Sequence, residues 1–379
     1  MKRLAIIVSH PIQYYAPLFT YLSKSMTLKV FYGFQPNPEQ QGEEGFGEAF
    51  KWDLDLLKGY AYEFVENVSS QPSSAKFNGC DTPIIGERIH AFEASHVICF
   101  GWHLKMFRQA LSYCKSYNIP VAVRGDSQID PNQIWYKRLL KRVYYPFFLN
   151  QFDCFLSVGK RNQEYLRLHG VPEEKIIFSP HAVDQDFWKV ELVPEEDKFK
   201  FIWVAKFIGK KRPKDVIIAF TKLLSDYPEF RNKLELKMVG TGELLNQCKK
   251  MASDIEQVKF LGFKNQKALR NEYANSDCLV LTSDYRETWG LVVNEAFAAG
   301  IPAIVSEACG CGPDLIDQFT GLIYPTADIE ALAAAMFQML KRESDSEFQK
   351  KGTFGLQKKN EMYSFERNVN SFQEFIKRY

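Results

Sequence analysis

Short apolar runs alternate with longer amphipathic segments along most of the 379 residues of the chain. The runs have the length of buried strands, and the segments between them repeat apolar residues at helical spacing. Strands and helices that alternate in this way form parallel sheets with helices on both faces. The pattern therefore predicts an α/β protein with doubly wound parallel sheets. The predicted strands are residues 4–8, 28–32, 97–100, 121–124, 154–158, 199–206, 234–239, 258–261, 278–282 and 302–305, and the predicted helices include 213–227, 291–299 and 329–340.

Two stretches interrupt this alternation and divide the chain. Residues 33–88 are irregular and rich in Gly, Glu, Ser and Pro, which predicts long loops with one hairpin. Residues 190–200 are polar and contain Pro194, as a linker between domains does. Because the chain is too long for one ordinary domain, we expect an N-terminal domain, 1–190, and a C-terminal domain, 191–363. An amphipathic terminal helix, 364–379, is expected to pack back on the first domain.

Composition and charge narrow the classes of function. Hydrophobic residues make up 46% of the chain, so each half can bury a core, and the net charge of +2 gives no global attraction to nucleic acid. The eight cysteines contain no CxxC pair, which fits a reducing compartment rather than a disulfide framework. No run approaches the ~18 apolar residues of a membrane-spanning helix. We therefore expect a cytoplasmic protein, either free or peripheral on the inner face of the plasma membrane.

Polar residues after the strands of the second half suggest a phosphate site, since ligands of parallel sheets collect at the carboxyl ends of the strands. Lys206 ends one predicted strand and Lys211 follows in the next loop. Two cations at this position suit a diphosphate, although the same residues could form a solvated loop. Gly240 and Gly242 follow another strand and are predicted to open a helix. Their backbone could approach a phosphate or a sugar, and a simple turn is the alternative.

A pair of glutamates lies where the next loop enters a helix. Glu287 is in the loop, Gly290 permits close approach of the backbone, and the start of the helix offers N–H groups and a positive dipole end to phosphate. Glu295, about a turn further on, is placed to reach a ribose diol while Glu287 reaches sugar hydroxyls. Thr288, Trp289 and Leu291 complete the candidate donor-binding segment. The alternative is a helix with solvated acidic residues.

Together these residues and motifs resemble those of the retaining glycosyltransferases of family four, in their bacterial form. These enzymes have the GT-B fold, two Rossmann-like domains facing a central cleft. The family's Glu-x7-Glu element is matched by Glu287 and Glu295. Its Gly-Arg pair and following Lys are matched by Ala205-Lys206 and Lys211, so a lysine replaces the arginine and the planar fork is lost. His181-Ala-Val-Asp184 is similar to an interdomain Asn-Gly-Val-Asp pattern, with two departures.

The first half carries weaker candidates. His10 and Gln13 follow the first strand, where the family places glycines that face the donor. His103 follows a later strand, near the place where many relatives have a histidine that touches the donor sugar. Asp126 follows the next strand. His103 ranks first as a catalytic candidate, and Asp126, His10 and Gln13 are candidates for the acceptor or the cleft. Each could instead be an ordinary turn or capping residue.

The resemblance implies a hexosyltransferase that retains the anomeric configuration by front-face attack. Lys206, Lys211 and the helix start near Gly290 would stabilise charge on the departing diphosphate. The implied partners are a nucleoside diphosphate sugar, with a UDP-sugar favoured, and a saccharide or lipid-linked saccharide acceptor. A sugar-nucleotide epimerase of the same fold and a non-catalytic sugar-nucleotide-binding partner of a membrane assembly are the alternatives.

Neither a metal nor a cofactor is expected. Asp53-Leu-Asp55 has the form of a metal-binding DxD element but lies in the irregular segment, and the six histidines show no HExxH spacing.

Basic and aromatic residues interleave from Gln133 to Phe155. This combination is typical of a segment at the interface of an anionic membrane. A helix with one buried and one solvated face is the alternative.

Overall fold

A computed structural model describes residues 2–37, 52–192, 198–343 and 346–379. The chain divides into two compact units. The first comprises Leu54–Ala182 with Met1–Pro36 and Ser364–Tyr379, and most of the second is Val183–Tyr363. The division after Ala182 precedes the predicted boundary at 190, and residues 193–197 of the predicted linker lie outside the described parts. Each unit contains one parallel sheet with helices between its strands, which confirms the predicted α/β class.

The sheet of the first unit has seven strands in the order β3-β2-β1-β4-β5-β6-β7, and neighbouring strands are parallel. The strands are β1 Arg3–Val8, β2 Thr27–Tyr32, β3 Ala61–Phe64, β4 His96–Cys99, β5 Val121–Gly125, β6 Cys154–Ser157 and β7 Ile176–Phe178. The helices are α1 Tyr15–Ser23, α2 Ile85–Ala91, α3 Lys105–Ser116, α4 Trp135–Leu149 and α5 Lys160–Leu168. A sixth, the C-terminal α14 Phe365–Arg378, also belongs to this unit.

The sheet of the second unit has six parallel strands in the order β10-β9-β8-β11-β12-β13. They are β8 Phe199–Val204, β9 Leu234–Val239, β10 Val258–Gly262, β11 Cys278–Leu281, β12 Ala303–Ser306 and β13 Gly321–Tyr324. The helices of this unit are α6 Gln185–Trp188, α7 Pro213–Asp226, α8 Leu245–Met251, α9 Gln266–Ala274, α10 Val292–Ala299, α11 Gly312–Leu315, α12 Ile329–Glu343 and α13 Ser346–Met362.

The central strands are buried on both faces because helices cover both sides of a parallel sheet. All six residues of β8 and all four of β11 are buried. In the first unit, α14 packs against α1 and β7, where Phe372 and Phe375 are completely buried. The Ser179 hydroxyl donates a hydrogen bond to Asn368 Oδ1 at 2.7 Å, which fixes α14 beside the end of β7.

Three strands were not predicted, and all three lie at an edge of a sheet. They are β3, β7 and β13. The predicted hairpin between residues 33 and 88 is wrong in the described part of that segment, because β3 pairs with β2 in parallel. Residues 38–51 of the segment lie outside the described parts.

Helix α4 turns most of its apolar side chains away from the core of the first unit. Only Phe148 and Leu149 are buried along its length. Both the membrane-interface interpretation and the alternative of one buried and one solvated face stay predictions, and the outward residues are largely apolar. The most exposed are Trp135 (71%), Leu140 (65%) and Phe147 (76%). Within the described residues, no helix combines the length and apolar character needed to span a bilayer.

Candidate functional site

The loops after β8, β9 and β11 meet at one edge of the second sheet, because these strands are adjacent and parallel. Lys206 lies in the loop after β8. In the same loop, the Phe207 N–H donates to the Thr241 carbonyl at 2.8 Å, and the Phe207 carbonyl accepts from the Leu244 N–H at 2.9 Å. The lysine loop and the glycine loop are therefore one hydrogen-bonded framework.

Two glycines allow this close approach. Gly240 and Gly242 have φ angles of +135° and +145°, which favour glycine. A Cβ atom at Gly240 would lie 2.0 Å from the Ala205 carbonyl oxygen, and one at Gly242 would lie 2.8 Å from that of Phe207. Both positions thus require glycine for contact between the loops. The prediction that this pair opens a helix needs correction, since α8 begins only at Leu245 after a turn.

Lys211 and Glu287 form a largely buried ion pair between Nζ and Oε2. Their side chains are 17% and 13% exposed. Burial opposes ionisation of Glu287, but the neighbouring Lys211 outweighs it and holds the pKa of that carboxyl below its usual value. The Thr282 hydroxyl, at the end of β11, donates to the Lys211 carbonyl at 2.7 Å. The structure therefore brings together a cation and a carboxylate that are distant in the sequence.

The Glu287 loop is also fixed from the side of β12. The Gly310 N–H donates to the Glu287 carbonyl at 3.0 Å, and a Cβ atom at Gly310 would lie 1.8 Å from the Thr288 carbonyl oxygen. Gly290 has a φ angle of +108°. Gly310 was not among the predicted site residues, although it lies between two cysteines just after a predicted strand.

The remaining residues of the predicted donor segment differ in orientation. The Trp289 side chain is 3% exposed, and its indole Nε1–H donates to Asn294 Oδ1 at 2.8 Å, so it packs inside the second unit. Thr288 contributes its backbone to the contact with Gly310. Leu291 directly precedes α10. The backbone of this segment, rather than the indole, is placed at the strand ends.

Glu295 lies in a different environment from Glu287. Its side chain is buried in α10, and Oε2 accepts a hydrogen bond from the Tyr273 hydroxyl at 3.0 Å. Burial raises the pKa of Glu295 to about 8. Tyr273 is itself completely buried and was not among the predicted site residues. The ribose-binding role expected for Glu295 stays a prediction.

The edge of the second sheet can stabilise an anion. Lys206 and Lys211 supply positive charge, and the turn at Gly290 leads into the N-terminus of α10, where helix N–H groups and the dipole favour a negative group. Glu287 adds a hydrogen-bond acceptor beside Lys211. This combination suits a ligand that carries both phosphate and hydroxyl groups.

The candidates of the first unit follow β1, β4 and β5, which are adjacent in its sheet. His10 Nδ1 lies 2.9 Å from the Ser9 hydroxyl, and Gln13 is half-buried in the turn before α1. His103 is exposed, and its Nε2 lies 2.9 Å from the Ser74 carbonyl oxygen. Asp126 Oδ2 lies 3.7 Å from His181 Nε2. None of these contacts tests a role in binding or catalysis, so the predicted roles of the four residues stay predictions.

Arg124 is a buried arginine close in sequence to Asp126, and no functional role was predicted for it. Arg124 is 2% exposed, and its Nη2 donates to the Pro180 carbonyl at 2.8 Å. Its Nε and Nη1 have no hydrogen-bond partner among the described residues. The guanidinium carbon lies 5.6 Å from the centre of the Tyr15 ring. Burial lowers the pKa of both Arg124 and His181. Arg124 therefore fixes the segment that carries His181.

Metal-binding geometry is not found in the described ranges, where no group of three or more His, Cys, Asp or Glu side chains is arranged to hold an ion. The two aspartates of the DxD element bind backbone groups instead. Asp53 accepts from the Lys267 N–H at 3.0 Å, and Asp55 accepts from the Leu57 N–H at 3.0 Å.

Comparison with known proteins finds similarity across most of the second unit. Residues 184–353 match the sequence model of a family described as Glycosyl transferases group 1. This segment is therefore similar to that family. The amylovoran biosynthesis glycosyltransferase AmsK of Erwinia amylovora is 26% identical over 211 residues, which are 53% of this chain and 51% of AmsK. The chain spans about half of the length, or less, of the first curated relatives that it matches.

Solved structures extend the likeness to the whole chain. A glycosyltransferase from Rickettsia africae superposes with a TM-score of 0.75 at 14% identity, covering 100% of this chain and 98% of the other. Alr3699/HepE of Anabaena, solved in complex with UDP, gives a TM-score of 0.73 at 13% identity and covers both chains completely. At such low identity these matches establish the fold, and they confirm the predicted GT-B fold.

Proposed function

We propose that this protein is a retaining, metal-independent glycosyltransferase. It transfers a hexosyl-type sugar from a nucleoside diphosphate sugar to a saccharide or lipid-linked saccharide in cell-surface glycan synthesis. The observation that carries the proposal is the ion pair of Lys211 with Glu287 on a framework of glycine-dependent loops, in the segment that matches the glycosyltransferase group 1 family. Lys206 lies in the same connection after β8. A framework fixed by backbone hydrogen bonds is preorganised, and preorganised charge is most effective where charge develops during reaction.

The two lysines act on the leaving group. As the glycosidic bond breaks, negative charge grows on the diphosphate, and Lys206, Lys211 and the N-terminus of α10 stabilise it. Lys211 is paired with Glu287. A bound donor would draw the Lys211 ammonium toward phosphate and leave the Glu287 carboxylate to accept hydrogen bonds from sugar hydroxyls. Retention by front-face attack, with the acceptor proton passing to the departing diphosphate, follows from the resemblance to family four.

Related proteins support the proposed classes of donor and acceptor. Alr3699/HepE was solved with UDP, and AmsK is named for amylovoran biosynthesis. We therefore place a UDP-sugar first among donors and a glycan or lipid-linked glycan first among acceptors.

A thermal-shift panel tests donor binding. UDP and UDP-sugars at about 100 times their Kd should raise the melting temperature by about 2–4 °C, and uridine should not. The shift should persist in EDTA, because lysines rather than a metal neutralise the diphosphate. If no nucleoside diphosphate stabilises the protein, the proposal is wrong. A shift that vanishes in EDTA and returns with magnesium or manganese would overturn metal independence.

Incubation of the stabilising UDP-sugar with the protein alone separates transfer from epimerisation. A transferase leaves the sugar configuration of unused donor unchanged. Appearance of an epimeric sugar nucleotide without any acceptor would favour the epimerase instead.

We also propose that the first unit meets an anionic membrane surface through the segment from Gln133 to Phe155. The proposal is supported by the outward apolar face of α4 and by the cations that flank it. Apolar side chains at headgroup depth together with flanking lysine and arginine are the features of an interfacial helix. Such attachment would bring a lipid-linked acceptor to the enzyme.

A further inference from the structure

A pocket of about 620 Å³ lies between α3 and α4 of the first unit. Side chains of the two helices form most of its lining, with Arg108, Ser112 and Lys115 on α3 and Tyr144 and Phe148 on α4. None of the candidate residues at the strand ends contributes to it. The pocket is therefore separate from the sites derived above.

Arg108 supplies a fixed positive charge to this pocket. Its guanidinium carbon lies 3.4 Å from the centre of the Phe148 ring, and its Nη1 donates to the Tyr144 hydroxyl at 2.8 Å. Its Nε donates to the Trp102 carbonyl at 3.2 Å. No carboxylate of the described chain forms an ion pair with Arg108. A planar guanidinium held in this way is preorganised for the oxygens of a phosphate.

The other polar groups of the pocket suit one anionic group rather than many. Ser112 lies one helical turn beyond Arg108 on α3, so the two side chains share a face of that helix. Lys115, a further turn along, is already paired with Asp153 at 2.8 Å. The pocket thus presents one unneutralised cation and a nearby hydroxyl against aromatic walls.

The apolar face of α4 leads into the pocket. Tyr136, Leu140, Tyr144 and Phe148 are spaced by four residues and lie along one side of the helix. At about 100° per residue, the exposed apolar side chains from Trp135 to Phe147 occupy an arc of about 180°. Tyr144 belongs to both this face and the pocket wall. A ligand with an anionic head in the pocket could therefore lay an apolar chain along α4.

We propose that the pocket binds the phosphate head of an anionic amphiphile, a phosphate ester of a hydrocarbon chain held in a bilayer. Arg108 contacts the phosphate, and the chain lies against the outward face of α4. This inference deepens the membrane part of the proposed function and rests on it. It does not depend on the identity of the donor or on glycosyl transfer.

Calorimetric titration with geranyl phosphate, a short water-soluble amphiphile, tests the pocket directly in the full-length protein. Geraniol lacks the phosphate and inorganic phosphate lacks the chain, so each should bind at least about tenfold more weakly. Arg108→Gln should weaken binding of geranyl phosphate at least about tenfold, because the charge-assisted hydrogen bonds are lost. Equal affinity for geranyl phosphate and inorganic phosphate would overturn the proposal in favour of a general anion site.

Two further variants make the result decisive. Arg138→Gln removes the same charge from α4 outside the pocket, so it should leave the affinity for geranyl phosphate unchanged while reducing binding to anionic vesicles. Arg108→Lys keeps the charge but loses the fork and provides the test if Arg108→Gln fails to fold. Wild-type affinity in Arg108→Lys and Arg108→Gln would overturn the role of the pocket. If the protein binds geranyl phosphate but does not bind anionic vesicles, the result would support the pocket and contradict the membrane proposal.

Discussion

Helices α7 and α4 each connect two neighbouring parallel strands, β8 to β9 and β5 to β6, yet they bury very different surfaces. α7 buries seven side chains, including Phe220 and Leu223, whereas α4 buries two. Both sequences are rich in apolar residues at helical spacing. The difference shows that such spacing identifies a helix but does not say which side of it the protein core will cover.

The strand ends of the two units differ in a related way. In the second unit the candidate residues contact one another across the sequence, as Lys211 and Glu287 do. In the first unit His10 contacts the adjacent Ser9 and His103 contacts the Ser74 carbonyl, and neither serine is a predicted site residue. The second unit therefore brings two predicted site residues into contact, whereas the distinctive surface of the first is the outward face of α4. We infer that the second unit binds the donor and that the first unit determines where the protein meets the acceptor.

The largest effect is expected from Glu287→Gln. The amide can still accept a hydrogen bond from Lys211, so the fold should persist, but the charge that orients both lysine and sugar is lost. Transfer should fall about 100-fold or more, in the range seen when a preorganised polar group is removed from an active site. Initial rates with a radiolabelled UDP-sugar measure the loss, with circular dichroism as the check on folding.

Glu330→Gln is the matched control, because Glu330 is an exposed residue of α12 that forms an ion pair with the partly exposed Lys222. It should leave the rate unchanged. Wild-type turnover in a folded Glu287→Gln protein would show that this residue is not part of the site. The two units would then no longer differ in this respect.

Lys206→Ala and Lys211→Ala should each lower turnover about 10–100-fold and weaken binding of UDP. The effect on kcat should exceed that on KM, because charge on the diphosphate is greatest in the transition state. Lys214→Ala provides the control, since Lys214 lies on the exposed side of α7 and contacts Gln247. If both variants bind UDP as well as the wild type does, the phosphate site has been placed wrongly.

The sequence predicted the central strands within one or two residues because each is a short and mostly buried apolar run. It missed the edge strands β3, β7 and β13, which are partly exposed and have a weak pattern. The Glu-x7-Glu spacing located Glu287, but spacing could not reveal its pairing with Lys211. That contact depends on the strand order, which places β8 beside β11. Exposure of the apolar face of α4 also depends on tertiary packing and could not be read from the sequence.

Replacement of Lys137, Arg138, Lys141 and Arg142 by Ser tests the distinctive surface of the first unit. Each cation near an anionic bilayer contributes about 1 kcal/mol, so binding to vesicles that contain phosphatidylglycerol should fall at least about tenfold. Binding by the wild type should decrease as salt increases. Cosedimentation with vesicles measures both effects.

Lys249→Ser with Lys250→Ser removes charge from α8 of the second unit and should not change vesicle binding. A soluble acceptor would be favoured if the wild-type protein does not bind anionic vesicles. It would also be favoured if vesicle binding does not change with salt or with the four α4 substitutions.

The smallest effect concerns the two glutamates of the donor segment. Glu287 has a cationic partner, and its pKa is lowered, whereas Glu295 has a tyrosine hydroxyl as its partner, and burial raises its pKa to about 8. In the unfolded chain both carboxyls would ionise near their usual value of about 4.5. The same sequence motif thus contains one carboxylate that favours ionisation and one carboxyl that resists it.

Glu295→Gln should consequently change how stability depends on pH in the unliganded protein. Between pH 4.5 and about 8 the unfolded chain has lost a proton that folded Glu295 retains, so this residue lowers stability progressively as pH rises through that window. Glutamine cannot ionise and still accepts the hydrogen bond from Tyr273. The melting temperature of Glu295→Gln relative to wild type should therefore increase from pH 4.5 to pH 9, by on the order of 5 °C. A difference that stays constant or shrinks over this range would mean that folded Glu295 is ionised like Glu287, and the contrast between the two carboxyls would disappear.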